Sequence, residues 1–303
     1  MTDIIAVLSQ NILPIFVVAF LGFALQRWLN LDKRVLSSVV MNVLSPCLVF
    51  TSLVNSRLDG DELIGLATFT LLSISGMAIL GLLAARLFRL SRKNTVALLI
   101  VLMFVNGGNY GLTLIQLRYG ETGLARAIVY FTTSTLVVYT VGMFVASMGQ
   151  LDWRQAVRRL LRLPPVYAAV FALIVYWWQI PVPVPLMRGL EVAGAGAIPV
   201  MLLVLGMQMA DLRGGAHWRL AVPAVVLRLL GGPLLGVGIA SLLGLQGIGR
   251  ATSIIEASMP PAVFTIILAT EFDLQPTAVT SIVLVSTVAS LLTVAATITF
   301  LGL

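Results

Sequence analysis

Apolar runs of about twenty residues follow one another along nearly the whole of this chain, separated by short polar loops. A helix rises ~1.5 Å per residue, so each run is long enough to cross the ~30 Å hydrocarbon core of a bilayer. In lipid every backbone amide and carbonyl must find its partner within the protein, which leaves helices and closed barrels as the spanning structures. Barrel strands would alternate polar and apolar residues over about ten positions, and these runs do not alternate. The chain is therefore predicted to be an all-α polytopic membrane protein. Its composition, 59% hydrophobic and 10% charged, provides too little polar surface to coat a water-soluble globule, for which about 25% charged residues is usual. The first run, Ile4 to Leu25, lacks the basic leader and small-residue cleavage site of a removable signal.

Ten spans are predicted, at about 4–27, 35–54, 63–85, 95–117, 124–147, 165–180, 189–209, 219–243, 251–270 and 277–300. With the amino terminus outside, the inner loops 27–34, 86–93, 154–162 and 213–219 hold thirteen Lys and Arg residues, and the outer loops hold five. The positive-inside rule then places both termini outside, and the membrane is expected to be a bacterial cytoplasmic one. The net charge of +7 is accounted for by this loop bias, so no nucleic-acid partner is read from it. A single cysteine, Cys47, and a single histidine, His217, exclude an internal disulfide and point away from a Cys- or His-based metal site. No catalytic constellation or phosphate loop is found, so the chain is not read as an enzyme and no cofactor is expected.

The arginine-rich segment 150–164 divides the spans into five and five, giving units of 1–149 and 165–303 around a cytoplasmic linker. Pro46 and Pro199 are 153 positions apart, as are Gly107-Gly108 and Pro260-Pro261. A unit with an odd number of spans enters the membrane upside down the second time, so two inverted five-helix repeats are expected, an arrangement found in secondary transporters.

Spans 4 and 9 are each broken in the middle. In "LIVLMFVNGGNYGLTLIQL" (99–117), Thr95 to Val105 would rise only about 16 Å before the polar break at Asn106-Gly107-Gly108-Asn109-Tyr110-Gly111. Span 9 breaks at Met259-Pro260-Pro261, where two adjacent residues lack an N–H. Such breaks survive in a membrane only inside protein or beside a water-filled cavity, and half-helix ends there offer amides to anions and carbonyls to cations. The plainer alternatives are a small-residue packing notch for the glycines and a simple kink for the prolines. Gly107, Gly108, Gly111, Pro260, Pro261, Pro46 and Pro199 are thus candidate break and hinge positions.

"NGGNYGL", "LSPCLVFTSLV" and "EASMPPAVFTIILATEFDLQPTAVTSIVLVSTVASLLT" together resemble the auxin efflux carrier family, in its bacterial branch of malate- and malonate-permease-like proteins. A more distant similarity is to the bile acid–sodium symporters. The resemblance implies crossed broken helices 4 and 9, a scaffold of helices 1, 2, 6 and 7, and a transport core of helices 3–5 and 8–10. It also implies transport of organic anions, a homodimer through the scaffold, and, from the symporters, sodium held by residues placed like Glu256, Asn106, Asn109, Thr132, Thr133 and Thr135. The plant members carry Asn-Pro-Asn crossover motifs, which Gly107-Gly108 and Pro260-Pro261 replace here.

Two charges fall deep within predicted spans, Arg228 and Glu256, and intramembrane charges are functional by default. Arg228 is predicted to fork onto a substrate carboxylate, and Glu256 to bind Na⁺ or carry a coupled proton. Alternatively the two form a structural ion pair. Asn106 and Asn109, one turn apart, are further candidates for substrate, with Tyr110, Ser258 and Asn42. Asn106 also joins Thr133, Thr135 and Met259 as candidates around the coupling ion. The plainer readings are a packing aromatic for Tyr110, core packing for Met259 and hydroxyls bonded to their own helix for the threonines. The function expected is secondary active transport of a small organic anion, a carboxylate, by alternating access coupled to H⁺ or Na⁺. The alternative is a cation/proton antiporter, although no predicted span contains an Asp. A channel of the same fold would be told apart by its kinetics.

Overall fold

A computed structural model describes residues 4–56, 58–147, 164–211 and 218–303. The linker read over 150–164, Pro164 excepted, lies outside the described residues, as do Arg213 and His217. The described residues form eleven helices: α1 (Ile4–Leu29), α2 (Lys33–Val54), α3 (Gly60–Leu87), α4 (Arg92–Met103), α5 (Gly107–Ala146), α6 (Pro164–Trp177), α7 (Val184–Ala210), α8 (Leu220–Leu242), α9 (Gly247–Ala257), α10 (Phe264–Glu271) and α11 (Pro276–Leu301).

The expectation of ten spans in two inverted five-helix repeats is corrected by this structure. Seven of the helices (α1, α2, α3, α5, α7, α8 and α11) are long and apolar enough to cross a membrane. The physical reason lies at the breaks. The polar interruption ends α4 after 12 residues, and the prolines split the ninth predicted span into α9, of 11 residues, and α10, of 8. At ~1.5 Å per residue none of these reaches across a ~30 Å core alone. The predicted sixth span is reduced to the 14 residues of α6. The end of the predicted fourth span instead joins the fifth in the 40 residues of α5. The α5 backbone turns at Gly120, where φ is 60° and ψ −153°, a region essentially closed to residues with a β-carbon.

Local chemistry starts and bends the helices. Asp32, Asp59 and Ser91 cap α2, α3 and α4, accepting from the amides of Arg34, Glu62 and Asn94. Three wide π-turns, Leu8–Ile12, Val40–Leu44 and Leu227–Gly231, each end two residues before a proline: Pro14, Pro46 and Pro233. A proline ring clashes with the carbonyl four residues earlier, and widening the preceding turn moves that carbonyl aside.

Packing divides into close helix pairs. α1 lies along α7 at glycine contacts, Gly22 against the Leu203 backbone and Gly206 against that of Ala19. α2 packs on α6 and α7, while α3 packs on α4, α5 and α8. Large apolar side chains such as Trp28, Leu234 and Phe300 face outward, as expected of a surface whose solvent is lipid. Where α3 and α5 meet, the Arg126 guanidinium grips the Glu62 carboxylate with two bonds, at 2.6 and 2.9 Å. This fork is partly exposed, so Glu62→Gln should cost about 1 kcal/mol. The check is a thermal melt in low and high salt, with the wild-type advantage shrinking as salt rises.

Candidate functional site

The two interruptions lie against each other. After α4 the chain runs extended through Phe104, and Val105 forms an antiparallel bridge with Pro261. The Asn106 amide donates to the Pro260 carbonyl at 2.8 Å, and the Ala262 amide donates to the Phe104 carbonyl at 3.0 Å. Each broken helix thus supplies backbone bonds that the other lost, as a membrane interior demands.

Two carbonyls are still left over, and their identity follows from the sequence. In an unbroken helix Leu102 would accept from residue 106, but the Asn106 amide is directed to Pro260. Ala257 would accept from residue 261, a proline with no N–H. Arg228 takes both: its Nη1 donates to the Leu102 carbonyl at 2.6 Å and its Nη2 to the Ala257 carbonyl. The side chain is fully enclosed, on the π-turn of α8, and a β-carbon at Gly232 would overlap both the guanidinium and the Ala257 oxygen.

Glu256, the residue before Ala257, points elsewhere. It is 0% exposed, and neither carboxyl oxygen has a hydrogen-bond partner. No ion pair joins it to Arg228, so the two buried charges do not neutralise each other directly. Its carboxyl rests against the first turn of α5, where helix amides favour negative charge. A β-carbon at Gly111 would fall 2.5 and 2.6 Å from its two oxygens, and one at Gly107 2.6 Å from the nearer oxygen. Gly108 is similarly constrained by the Phe131 ring, 2.8 Å from where its β-carbon would lie. The glycines of Asn-Gly-Gly-Asn-Tyr-Gly make room for this carboxyl and that ring. Gly111→Ala is therefore expected to displace Glu256. The protein should remain folded, because a side chain can yield where a backbone cannot, and a thermal melt should show its melting temperature lowered by the overpacking.

The other predicted residues divide by location. Asn106 is buried with its Nδ2 unpartnered, and Met259 is fully buried beside the break. Tyr110 is enclosed and meets Phe16 edge-on at 5.8 Å. Asn109 is half-buried, and its carbonyl accepts from the Thr113 hydroxyl. The Ser258 hydroxyl donates to the Ile254 carbonyl at 2.6 Å, and that of Thr135 to the Phe131 carbonyl at 2.7 Å. Thr133 is half-buried, while the Thr132 hydroxyl is enclosed and unpartnered. Asn42 is exposed on α2 and donates to the carbonyl and hydroxyl of Ser38. Pro46 follows its π-turn, and Pro199 is exposed on α7. Asn42, Pro46 and Pro199 thus sit on α2 and α7, not on the paired breaks.

Sequence reasoning missed an open cleft of about 460 Å³ between α2, α5 and α7, with Thr51, Ser52, Asn55, Gln116, Arg126 and Glu191 on its walls. Asn55 reaches Glu191 at 3.2 Å across it. Gln116 and Glu191 lie within predicted spans, and that anomaly was the available signal. Among the described residues no cluster of three or more His, Cys, Asp or Glu is placed to hold a metal ion.

A family model described as membrane transport protein matches residues 7–298. The chain belongs to that family. An uncharacterized transporter of Methanothermobacter thermautotrophicus is 29% identical over 289 residues, covering 93% of this chain and 95% of the relative. An uncharacterized transporter of Methanocaldococcus jannaschii is 22% identical over 271 residues, covering 86% and 87%. Auxin efflux carrier component 6 of Arabidopsis thaliana is 27% identical over 142 residues, 44% of this chain and 25% of the plant protein. The protein is thus a polytopic membrane transporter, not an enzyme, and is distantly related to auxin-efflux-carrier-like proteins. In this member of the membrane transport protein family, the paired breaks meet a buried carboxyl from the end of α9 and a buried guanidinium from α8.

Proposed function

We propose that this transporter is a secondary active carrier of a small organic anion, a carboxylate, working by alternating access and driven by H⁺ or Na⁺ held at Glu256. The observation that carries the reading is the Glu256 carboxyl, fully enclosed with both oxygens unpartnered. A carboxylate so buried needs a counter-charge, and a proton or small cation that arrives and leaves with each cycle supplies one. Asn106, with its free Nδ2 in the facing break, is the first candidate to meet the solute, with Asn109 and Tyr110 beside it. The closest chemical guide to the solute is the resemblance to malate and malonate permeases. The same reading gives a homodimer and, from the basic loops, a cytoplasmic membrane with both termini outside.

The test is thermal stability of the purified protein with malonate, malate, succinate, acetate and indole-3-acetate, each with and without Na⁺ at two pH values. It is followed by uptake of any stabilising anion into proteoliposomes. A ligand bound only by the folded state at a hundredfold excess over Kd adds about 2.7 kcal/mol, a shift easily read. One carboxylate that stabilises, and is accumulated along a cation gradient, is the expected result. Stabilisation by Na⁺ or pH alone, with cation exchange and no anion uptake, would replace this reading with the antiporter.

A further inference from the structure

The carboxy-terminal ends of α4 and α9 both deliver a leftover carbonyl to one place, Leu102 from the first and Ala257 from the second. Each helix end also carries about half a unit of negative charge. Two such ends meeting in a membrane interior require a cation. The geometry points to Arg228 as that cation: a tethered guanidinium permanently occupying the position between the two helix ends where a free monovalent cation would otherwise bind.

Four observations support this role. Arg228 is 1% exposed, so its charge has no water around it. Its two terminal nitrogens donate to backbone carbonyls, one from each broken helix, and neither donates to a carboxylate. Both carbonyls are ones the breaks deprive of their ordinary partner, by diversion of the Asn106 amide and by the missing N–H of Pro261. Space for the planar group depends on Gly232, where any β-carbon would collide with it. A guanidinium suits the place because it stays charged and presents a fixed fork of donors. The consequence is that the carbonyl ends hold no exchangeable ion, so ion coupling passes through Glu256 alone. That consequence rests on the carrier reading above, but the role of the guanidinium does not.

Chemical rescue tests the proposal without any transport measurement. Wild type, Arg228→Ala and Arg228→Met are purified in detergent and melted in millimolar methylguanidinium chloride, against choline chloride at equal ionic strength. Arg228→Ala is expected to melt well below wild type and to recover most of the loss in a saturable way with methylguanidinium. Wild type, whose site is filled by its own side chain, and Arg228→Met, whose site is plugged, should not respond. An Arg228→Ala protein that is monodisperse yet indifferent to methylguanidinium would overturn the proposal. If that variant gives no folded protein, Arg228→Lys and Arg228→Gln decide. A charge role places Lys nearer wild type, and a melting temperature for Gln equal to or above that for Lys refutes it. Failure here leaves the carrier reading intact, and loss of the carrier reading leaves this result standing.

Discussion

Glu256→Gln is expected to abolish concentrative uptake while leaving a folded protein that still exchanges its solute across the membrane. The amide matches the carboxyl in shape but accepts neither a transported proton nor the charge of a cation. One net charge moved per cycle across 100 mV is worth about 2.3 kcal/mol, which is roughly a fiftyfold accumulation. In proteoliposomes with an imposed gradient, the ratio of internal to external solute should fall from that order to near one. Counterflow of labelled solute should persist. Stability gives a second readout, since removing a buried carboxyl without a partner is neutral or stabilising, and the variant should melt no lower than wild type. Undiminished cation-driven accumulation in Glu256→Gln would remove Glu256 from the coupling step. The carrier would then need another ion site.

The second large effect concerns α1 and α7. A β-carbon at Gly206 would overlap the backbone carbonyl of Ala19 and crowd the amide of Phe23, and one at Gly22 would overlap the Leu203 carbonyl. These obstacles are backbone atoms of neighbouring helices, so no rotamer change relieves them and the helices must separate. Gly206→Val should cost on the order of 3 kcal/mol or more, the upper end of overpacking. It should appear as a sharply lowered melting temperature or loss of folded protein. Gly238 on α8 has open space where its β-carbon would go, and Gly238→Ala should be neutral or slightly stabilising. Equal effects at the two positions would show that the α1 and α7 contact is not what the glycines serve.

The sequence marked the region of the site better than the roles within it. Asn106, Gly107, Pro260 and Glu256 stand out because amides, glycines, prolines and a carboxylate are costly in hydrocarbon wherever they fall. The structure does bring the two breaks that contain them into contact. The hydroxyls of Ser258 and Thr135 were plausible ligands by type. Both are bonded to carbonyls of the preceding turn, an outcome available locally from their place on a helix. Arg228 could not be read in the same way. Its partners lie 126 and 29 residues away in the chain, and both are backbone atoms whose need for a donor arises only after two other segments have broken and paired.

The sequence alone determined that this chain lives in lipid and that its fourth and ninth apolar runs are interrupted. Both depend on local quantities, the length of an apolar run and the presence or lack of an N–H at a given residue. How many helices are long enough to span, which carbonyls the breaks leave over, and the separation of Arg228 from Glu256 were decided by tertiary structure. Those outcomes depend on which backbone group wins each competing hydrogen bond, and in a medium without water that competition is settled only when distant segments come into contact.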